Sequence, residues 1–198
     1  IDASAPSTPA APVLDPASDT GALGDYITSD TTPTLTGTDG TAGDTVKLYA
    51  DGTEVGTATV LPDGSYSVTP TTPLAEGTPN FTVSFTDPSG NESAPSPALP
   101  VTIDETVPTT PAAPVLDPTS DTGTVGDGIT SDATPTLTGT DGTAGDTVKL
   151  YADGTEVGTA TVLPDGSYSV TPTAPLADGT PNLTVTFTAP SGNESVAS

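Results

Sequence analysis

The sequence predicts an all-β protein: two tandem antiparallel β-sandwiches of about seven strands each, arranged end to end. Three observations predict it. Apolar residues alternate with Thr and Ser over short runs, turn-forming Gly, Pro, Asn and Asp cluster between those runs, and the whole pattern occurs twice. Aligned on itself, the chain has a period of 102 residues, with 80 of the 96 comparable positions identical and the block Thr32–Thr71 unchanged at Thr134–Thr173. Units of about 100 residues have the size of an independently folding domain, whereas solenoid repeats of about 20 to 50 residues need neighbours to complete a core. The expected domains are residues 1–103 and 104–198, beads of one rod.

In the first copy "APVLD" is the first strand. "TPTLTGT" (Leu35), "TVKLYA" (Val46, Leu48), "EVGTATV" (Val55, Val60) and "SYSVT" (Tyr66, Val68) follow, each with apolar residues two apart or bounding the run. "NFTVSFT" is the clearest: Phe81, Val83 and Phe85 share one face and Thr82, Ser84 and Thr86 the other. "ALPVTI" (Leu99, Val101, Ile103) closes the unit, and the second copy reaches Ser198 before the counterparts of these three residues, which leaves its last strand unfinished. Asp51-Gly52 suits a type I′ hairpin because both positions tolerate positive φ, and Asp63-Gly64 and Ser89-Gly90-Asn91 suit turns. Seven short strands in about 100 residues point to immunoglobulin-like topology. With no Cys and no Trp, its core must be filled by Tyr66, Phe81, Phe85 and aliphatic residues. Prolines 6, 9 and 12, repeated at 108, 111 and 114, stiffen the start of each unit and discourage edge pairing; their spacing also permits a polyproline II ligand, though without the basic or aromatic flanks such ligands use.

Charge excludes several functions. The chain has 26 acidic residues, two lysines (Lys47, Lys149) and no arginine, a formal net charge of −24. Nucleic acid and anionic membranes are repelled by such a surface. Strong acidity with 23 Pro and 21 Gly invites a reading of disorder, but the apolar residues are patterned rather than sparse, which favours folding. No Cys or His is present, so disulfides, thiolate or imidazole metal sites and histidine acid–base chemistry are all missing. Acid pairs are plentiful, yet a glycosidase needs two of them across a cleft, which a thin sandwich does not offer; the sequence predicts no enzyme. No apolar run approaches the roughly 20 residues of a membrane span. No signal-peptide pattern opens at Ile1, and the segment reads as part of something longer.

The acidic loops remain. "SDTGALGDYITSD" carries Asp19, Asp25 and Asp30, and "SDTGTVGDGITSD" carries Asp121, Asp127 and Asp132. Threading the strands puts the first loop at the C-terminal pole of its unit with Asp104 and Glu105. Asp39, Asp44, Asp87 and Glu92 then lie at the opposite pole beside Asp2. Oxygen donors on Gly-rich loops suit calcium, which takes six to eight oxygens in adaptable geometry, better than magnesium with its strict octahedron. The expected metal ligands are Asp2, Asp19, Asp25, Asp30, Asp87, Asp104, Asp121, Asp127 and Asp132, and the expected cofactor is Ca²⁺. Two other readings stay open: aspartate as ordinary turn chemistry, as at Asp51, Asp63, Asp153 and Asp165, and an acidic shell serving solubility or high salt. Neither the EF-hand loop nor the glycine-rich calcium nonapeptide occurs.

The run from "TPTLTGT" through "DGSY", "PLAEGT" and "DPSGNES" to "DETVP" resembles the bacterial immunoglobulin-like repeats of very large repeats-in-toxin type adhesins, over nearly the whole of both copies. The resemblance implies a secreted protein of the bacterial cell surface. It also implies a monomeric rod whose repeats contact only their neighbours, stiffened by calcium at loops and junctions, that extends a terminal binding module in adhesion and biofilm formation. An alternative is that the repeats are themselves the adhesive module and bind a glycan or protein. One departure stands out: Asp87 becomes Ala189, so a ligand at that position cannot serve the second copy. In tandem, the C-terminal pole of copy one is expected to face the N-terminal pole of copy two across Asp104, like charge against like charge unless a cation intervenes. Tyr26, in the acidic loop, becomes Gly128 and is read as local packing.

Overall fold

The computed structural model, which describes residues 2–198, turns the alternating runs into strands and forms two units, residues 1–105 and 106–198. In the first unit the strands are β1 (Val13–Leu14), β2 (Ile27–Thr28), β3 (Leu35–Gly37), β4 (Thr45–Ala50), β5 (Thr53–Thr59), β6 (Tyr66–Val68), β7 (Asn80–Thr86), β8 (Leu99–Pro100) and β9 (Thr102–Ile103). One sheet has the order β1-β3-β6 and the other β5-β4-β7-β8, all antiparallel; β2 and β9 pair in parallel. Leu14, Leu35, Val46, Leu48, Val60, Tyr66, Val68, Phe81, Val83, Phe85 and Val101 form one buried cluster. Each comes from the inward set of its alternating run, and burying such a side chain stabilises the fold by about 1.5–3 kcal/mol.

Local chemistry explains the joints. Asp51 has φ 48° and Gly52 φ 80°, the positive pair a type I′ hairpin demands, and they join β4 to β5 directly. Gly37 lies against the ring of Tyr66, where an added Cβ would collide with the ring atoms. That contact lets Tyr66 meet Phe85 edge to face, with ring centroids 5.6 Å apart at 78°. Pro9 and Pro12 are buried, and the Ala10 N–H donates to Asp39 Oδ2 at 2.6 Å.

Two features depart from the sequence expectation. The closing run "ALPVTI" is not one strand: Leu99–Pro100 pairs with β7, while Thr102–Ile103 moves to β2, a partner too short to show periodicity. Ser84, expected on the wet face of β7, is 2% exposed because Glu92 folds over it.

The second unit repeats the pattern with β10 (Val115–Leu116), β11 (Leu137–Gly139), β12 (Thr147–Ala152), β13 (Thr155–Thr161), β14 (Tyr168–Val170) and β15 (Leu183–Thr188), in sheets β10-β11-β14 and β13-β12-β15. Even the register shift in the β4–β5 pair recurs in β12–β13. Among the described residues of this unit nothing corresponds to β8 and β9, and Ile129–Thr130, the counterpart of β2, is not a strand.

Candidate metal-binding loops

The loop after β1 is organised by its own hydroxyls and carboxylates. The N–H groups of Ser18 and Asp19 donate to the Asp15 carbonyl at 2.9 and 3.1 Å, closing a turn. Buried Thr28 donates its hydroxyl to the Ser18 carbonyl at 2.5 Å, and the Asp30 N–H donates to Thr28 Oγ1 at 2.9 Å. Asp30 accepts Ser18 Oγ on Oδ2 at 2.7 Å and the Thr32 N–H on Oδ1 at 2.8 Å. Asp25 accepts the Ile27 N–H at 2.9 Å, an Asx turn. Asp19 is only 7% exposed; its Oδ2 accepts the Gly24 N–H at 2.5 Å, while its Oδ1 is buried with no hydrogen-bond partner.

The second copy reproduces this arrangement. Asp121 Oδ2 accepts the Gly126 N–H at 2.6 Å and Asp121 Oδ1 is buried without a partner. Asp127 accepts from Ile129, and Asp132 accepts from Thr134. Asp132 is held below the usual carboxylate range, chiefly by the Thr134 N–H and then by the Ser120 hydroxyl.

Among the described residues no group of three or more acidic side chains converges to hold a metal ion. The two triplets expected to act together therefore divide their work. Asp25, Asp30, Asp127 and Asp132 tie the loop through hydrogen bonds, and only Asp19 and Asp121 turn an unsatisfied oxygen into the interior. Sequence spacing could not separate these roles, since all six are Asp beside Gly, Ser or Thr. The Asp104 N–H donates to the Thr28 carbonyl at 2.8 Å, which brings the Asp104 backbone to the acidic loop.

At the opposite pole, Asp2 is exposed, accepts the Ser4 N–H at 3.0 Å and offers its carbonyl to Asn91 Nδ2 at 3.3 Å. Asp87 accepts from Asn91 on both oxygens, from the N–H at 2.9 Å and from Nδ2 at 2.8 Å, and the Asn91 side chain leads in holding its carboxyl low. Asp44 is 3% exposed, and burial first and the Asp87 charge second push its carboxyl up.

Sequence reasoning missed a third arrangement. Lys47 Nζ lies 2.7 Å from Glu92 Oε2, while Glu92 Oε1 accepts Tyr49 Oη at 2.8 Å and Ser84 Oγ at 2.6 Å. These bonds, from Lys47, Ser84 and Tyr49 in that order, draw the Glu92 carboxyl down to about 2. Lys149, Tyr151 and Thr186 hold Glu194 in the same way, and it too is lowered despite the opposing effect of burial. The signal was present: each copy has a single cation, two residues from a tyrosine on the same strand face, with Ser84 opposite Lys47 in register.

The sequence model of the family described as "Bacterial Ig-like domain" matches residues 5–105 and again 106–198. The fibronectin(III)-like modules of Clostridium thermocellum CbhA share the fold: TM-score 0.50, 16% identity, covering 87% of this chain and 84% of that one. A 1.5-MDa bacterial ice-binding adhesin aligns at 24% identity and TM-score 0.36, over 96% of this chain and 62% of its own. A tetra-tandem repeat from the extending region of a large adhesion protein aligns at 30% identity and TM-score 0.33, over 88% and 45%. The chain thus spans less than two thirds of either adhesin structure. A search of curated proteins finds no match.

Proposed function

The chain belongs to the bacterial Ig-like domain family, as two tandem domains, and we propose that it is an extender region of a secreted bacterial cell-surface adhesin, rigidified by Ca²⁺ at its loops and interdomain linker. In this role it projects a distal binding module, contacts neighbouring repeats of its own chain, stays monomeric and catalyses nothing. The observation that carries the reading is the buried, unpartnered oxygen of Asp19, repeated 102 residues later at Asp121. An ionised carboxylate oxygen withdrawn from water without a partner is costly, and a bound cation removes that cost. Asp19 and Asp121 would anchor the ions with nearby carbonyls supplying further oxygens, whereas Asp25, Asp30, Asp127 and Asp132, engaged in the hydrogen bonds of the loop, and Asp104 would join the set only on rearrangement of the loop around the ion. Asp2 and Asp87 are weaker candidates, because Asn91 already donates to both Asp87 oxygens. When bound, the metal supplies positive charge that offsets the local repulsion, and its binding free energy adds to folding.

The test is calorimetric titration of Ca²⁺ into the whole chain, with Mg²⁺ as control, followed by small-angle scattering with and without chelator at matched ionic strength. Saturable uptake is expected, lost on Asp19→Asn with Asp121→Asn, and the chelated chain is expected to scatter as a less extended particle. Absence of saturable uptake at millimolar Ca²⁺ overturns the calcium reading. A response to NaCl equal to that to Ca²⁺ replaces it with a screened acidic shell.

A second reading, an adhesive module binding a glycan or protein, is favoured by Leu23 and Tyr26, which are 73% and 41% exposed on the same loop. It predicts ligand capture that survives Asp19→Asn and disappears on Leu23→Ser with Tyr26→Ser.

A further inference from the structure

All four asparagines of the chain stand two residues before a Thr or Ser: Asn80-Phe-Thr82 and Asn91-Glu-Ser93, and one period later Asn182-Leu-Thr184 and Asn193-Glu-Ser195. This is the acceptor motif for N-linked sugar, but in a chain so rich in Thr and Ser the motif alone selects nothing. The fold divides the four into two kinds.

Asn91 and Asn193 are engaged. Asn91 Nδ2 donates to Asp87 Oδ2 at 2.8 Å and to the Asp2 carbonyl at 3.3 Å, and Asn193 Nδ2 donates to Ser191 Oγ at 3.2 Å. Their hydroxyl partners are spent inside the fold. Ser93 and Ser195 are buried; each accepts a strand N–H, from Phe85 or Phe187, at 3.0 Å and donates to the carbonyl of the next residue. A sugar on either amide would crowd these bonds.

Asn80 and Asn182 are the opposite case. Asn80 opens β7, Asn182 precedes β15, and both are exposed. The hairpin turn beside them pins the backbone and leaves the side chain outside. Asp51 Oδ1 accepts the Asn80 N–H at 3.0 Å and the Asn80 carbonyl accepts the Asp51 N–H at 3.1 Å; the same bonds join Asp153 and Asn182 at 2.9 and 3.0 Å. In an extended run residues two apart share a face, so Thr82 and Thr184, both half-exposed, present their hydroxyls on the side of the acceptor amide.

We propose that Asn80 and Asn182 are N-glycosylation sites, one per unit, carrying sugar on the outer face of the sheets that contain β7 and β15. In the step, Asn Nδ2 attacks the anomeric carbon of a sugar activated as a nucleoside or lipid diphosphate. The C–N bond forms as the anomeric C–O bond breaks, the diphosphate leaves with the electron pair, and the amide passes one proton to a base of the cell's transferase. Nδ2 keeps its second hydrogen, which in Asn80 remains available for the 3.2 Å bond to Asp51 Oδ1. The sugar adds uncharged, hydrated bulk to a sheet face. Neither asparagine lies in the acidic loops, so the proposal stands apart from the calcium reading.

The test is peptide mapping by mass spectrometry of the chain taken from the cells that make it, with fragmentation that places each sugar on its residue. Asn80 and Asn182 are expected to carry sugar that resists mild alkali, which strips sugar from Ser and Thr hydroxyls, while Asn91 and Asn193 are bare. Sugars added one at a time identify a nucleotide donor, and an oligosaccharide of fixed composition identifies a lipid-linked one. Thr82→Ala with Thr184→Ala, made in the same cells, should lose the sugar although both asparagines remain, whereas Thr82→Ser with Thr184→Ser should keep it. Bare Asn80 and Asn182 in the parent chain, sugar confined to Asn91 and Asn193 or to hydroxyls, or sugar retained by the alanine variant each overturns the proposal.

Discussion

The two units differ at few aligned positions, and only residues 1–105 include the closing segment 99–103, since the sequence ends at Ser198 short of its counterpart one period on. β4 and β12 make the same pairs with their neighbours, down to the register shift, and Tyr66 and Tyr168 meet Phe85 and Phe187 at the same 78°. Ile-Thr at 27–28 forms a strand and the identical Ile-Thr at 129–130 does not. The dipeptide therefore carries no strand preference of its own; β2 is made by β9. Local alternation suffices for the central hairpin, whereas the short parallel pair is a tertiary structure that exists only when its partner is seated.

The largest expected effect comes from breaking that closure in the first unit. Ile103→Ala removes a fully buried side chain from the β2–β9 pair and should cost the first unit about 3 kcal/mol. In urea its transition should move to lower denaturant while that of the second unit stays fixed, and the amides of Ile27 and Thr28 should exchange as fast as those of Ile129 and Thr130. An unmoved first transition would mean that β8 and β9 add little to the stability of the first unit.

Next in size is the carboxylate clamp, which the two units share. Glu92→Gln keeps the shape but loses the charge that Lys47, Tyr49 and Ser84 all bond. Because Lys47 and Glu92 are a quarter and more than a third exposed, the expected cost is only about 1 kcal/mol. Its pH dependence is more informative. The Glu92 pKa falls from 4.5 to about 2 on folding, so its contribution is fully present above pH 4.5 and fades as pH drops toward 2. The stability difference between the parent and Glu92→Gln should therefore be constant at neutral pH and shrink through that window, measured as urea midpoints of the first unit. A difference independent of pH would assign the loss to packing rather than charge.

What could be read from the residues follows the same division between local and distant causes. The repeat, the two faces of "NFTVSFT" and the Asp51-Gly52 hairpin depend on neighbours within a few positions, and each is present in the folded chain. Residues brought together from far apart were not legible. Ser84 looks like a wet-face residue until Glu92, eight positions on, covers it, and Lys47 reaches the same carboxylate across 45 positions. The acidic loops fall between: their acidity and repetition are plain in sequence. Which aspartate is left unsatisfied depends on the hydroxyls of Ser18, Thr28 and Thr32, and spacing does not report that.

A smaller effect tests the loop itself. Tyr26 holds φ 61° where Gly128 holds φ 70°, so a side chain in the first copy occupies a left-handed position that glycine fills freely in the second. Gly128→Tyr should destabilise the second unit by about 1 kcal/mol, and Tyr26→Gly should change the first by only a few tenths, because relief of strain is offset by the greater chain entropy lost on ordering glycine. Tyr26 is 41% exposed, which weighs against the expectation that it serves packing. A loss above about 2 kcal/mol on Tyr26→Gly would restore that role.

The smallest effect concerns Asp87, which the second copy replaces with Ala189. Asp44 is buried, and its raised pKa means that folding favours its protonated form; its contribution is therefore lost as pH rises through the folded value, and at neutral pH the buried charge is a cost. Part of that cost is repulsion from Asp87. The Asp87 carboxylate in turn gains from Asn91, which favours its ionised form. Asp87→Ala removes both the repulsion and the gain, so the net change at pH 7 should be within about 0.5 kcal/mol. The two contributions separate in a carboxyl titration followed by NMR: the Asp44 pKa should fall toward its ordinary value in Asp87→Ala and stay above it, because burial, the larger cause, remains. An unchanged Asp44 titration would show that Asp87 does not act on it. The second copy's alanine would then relieve nothing at that pole.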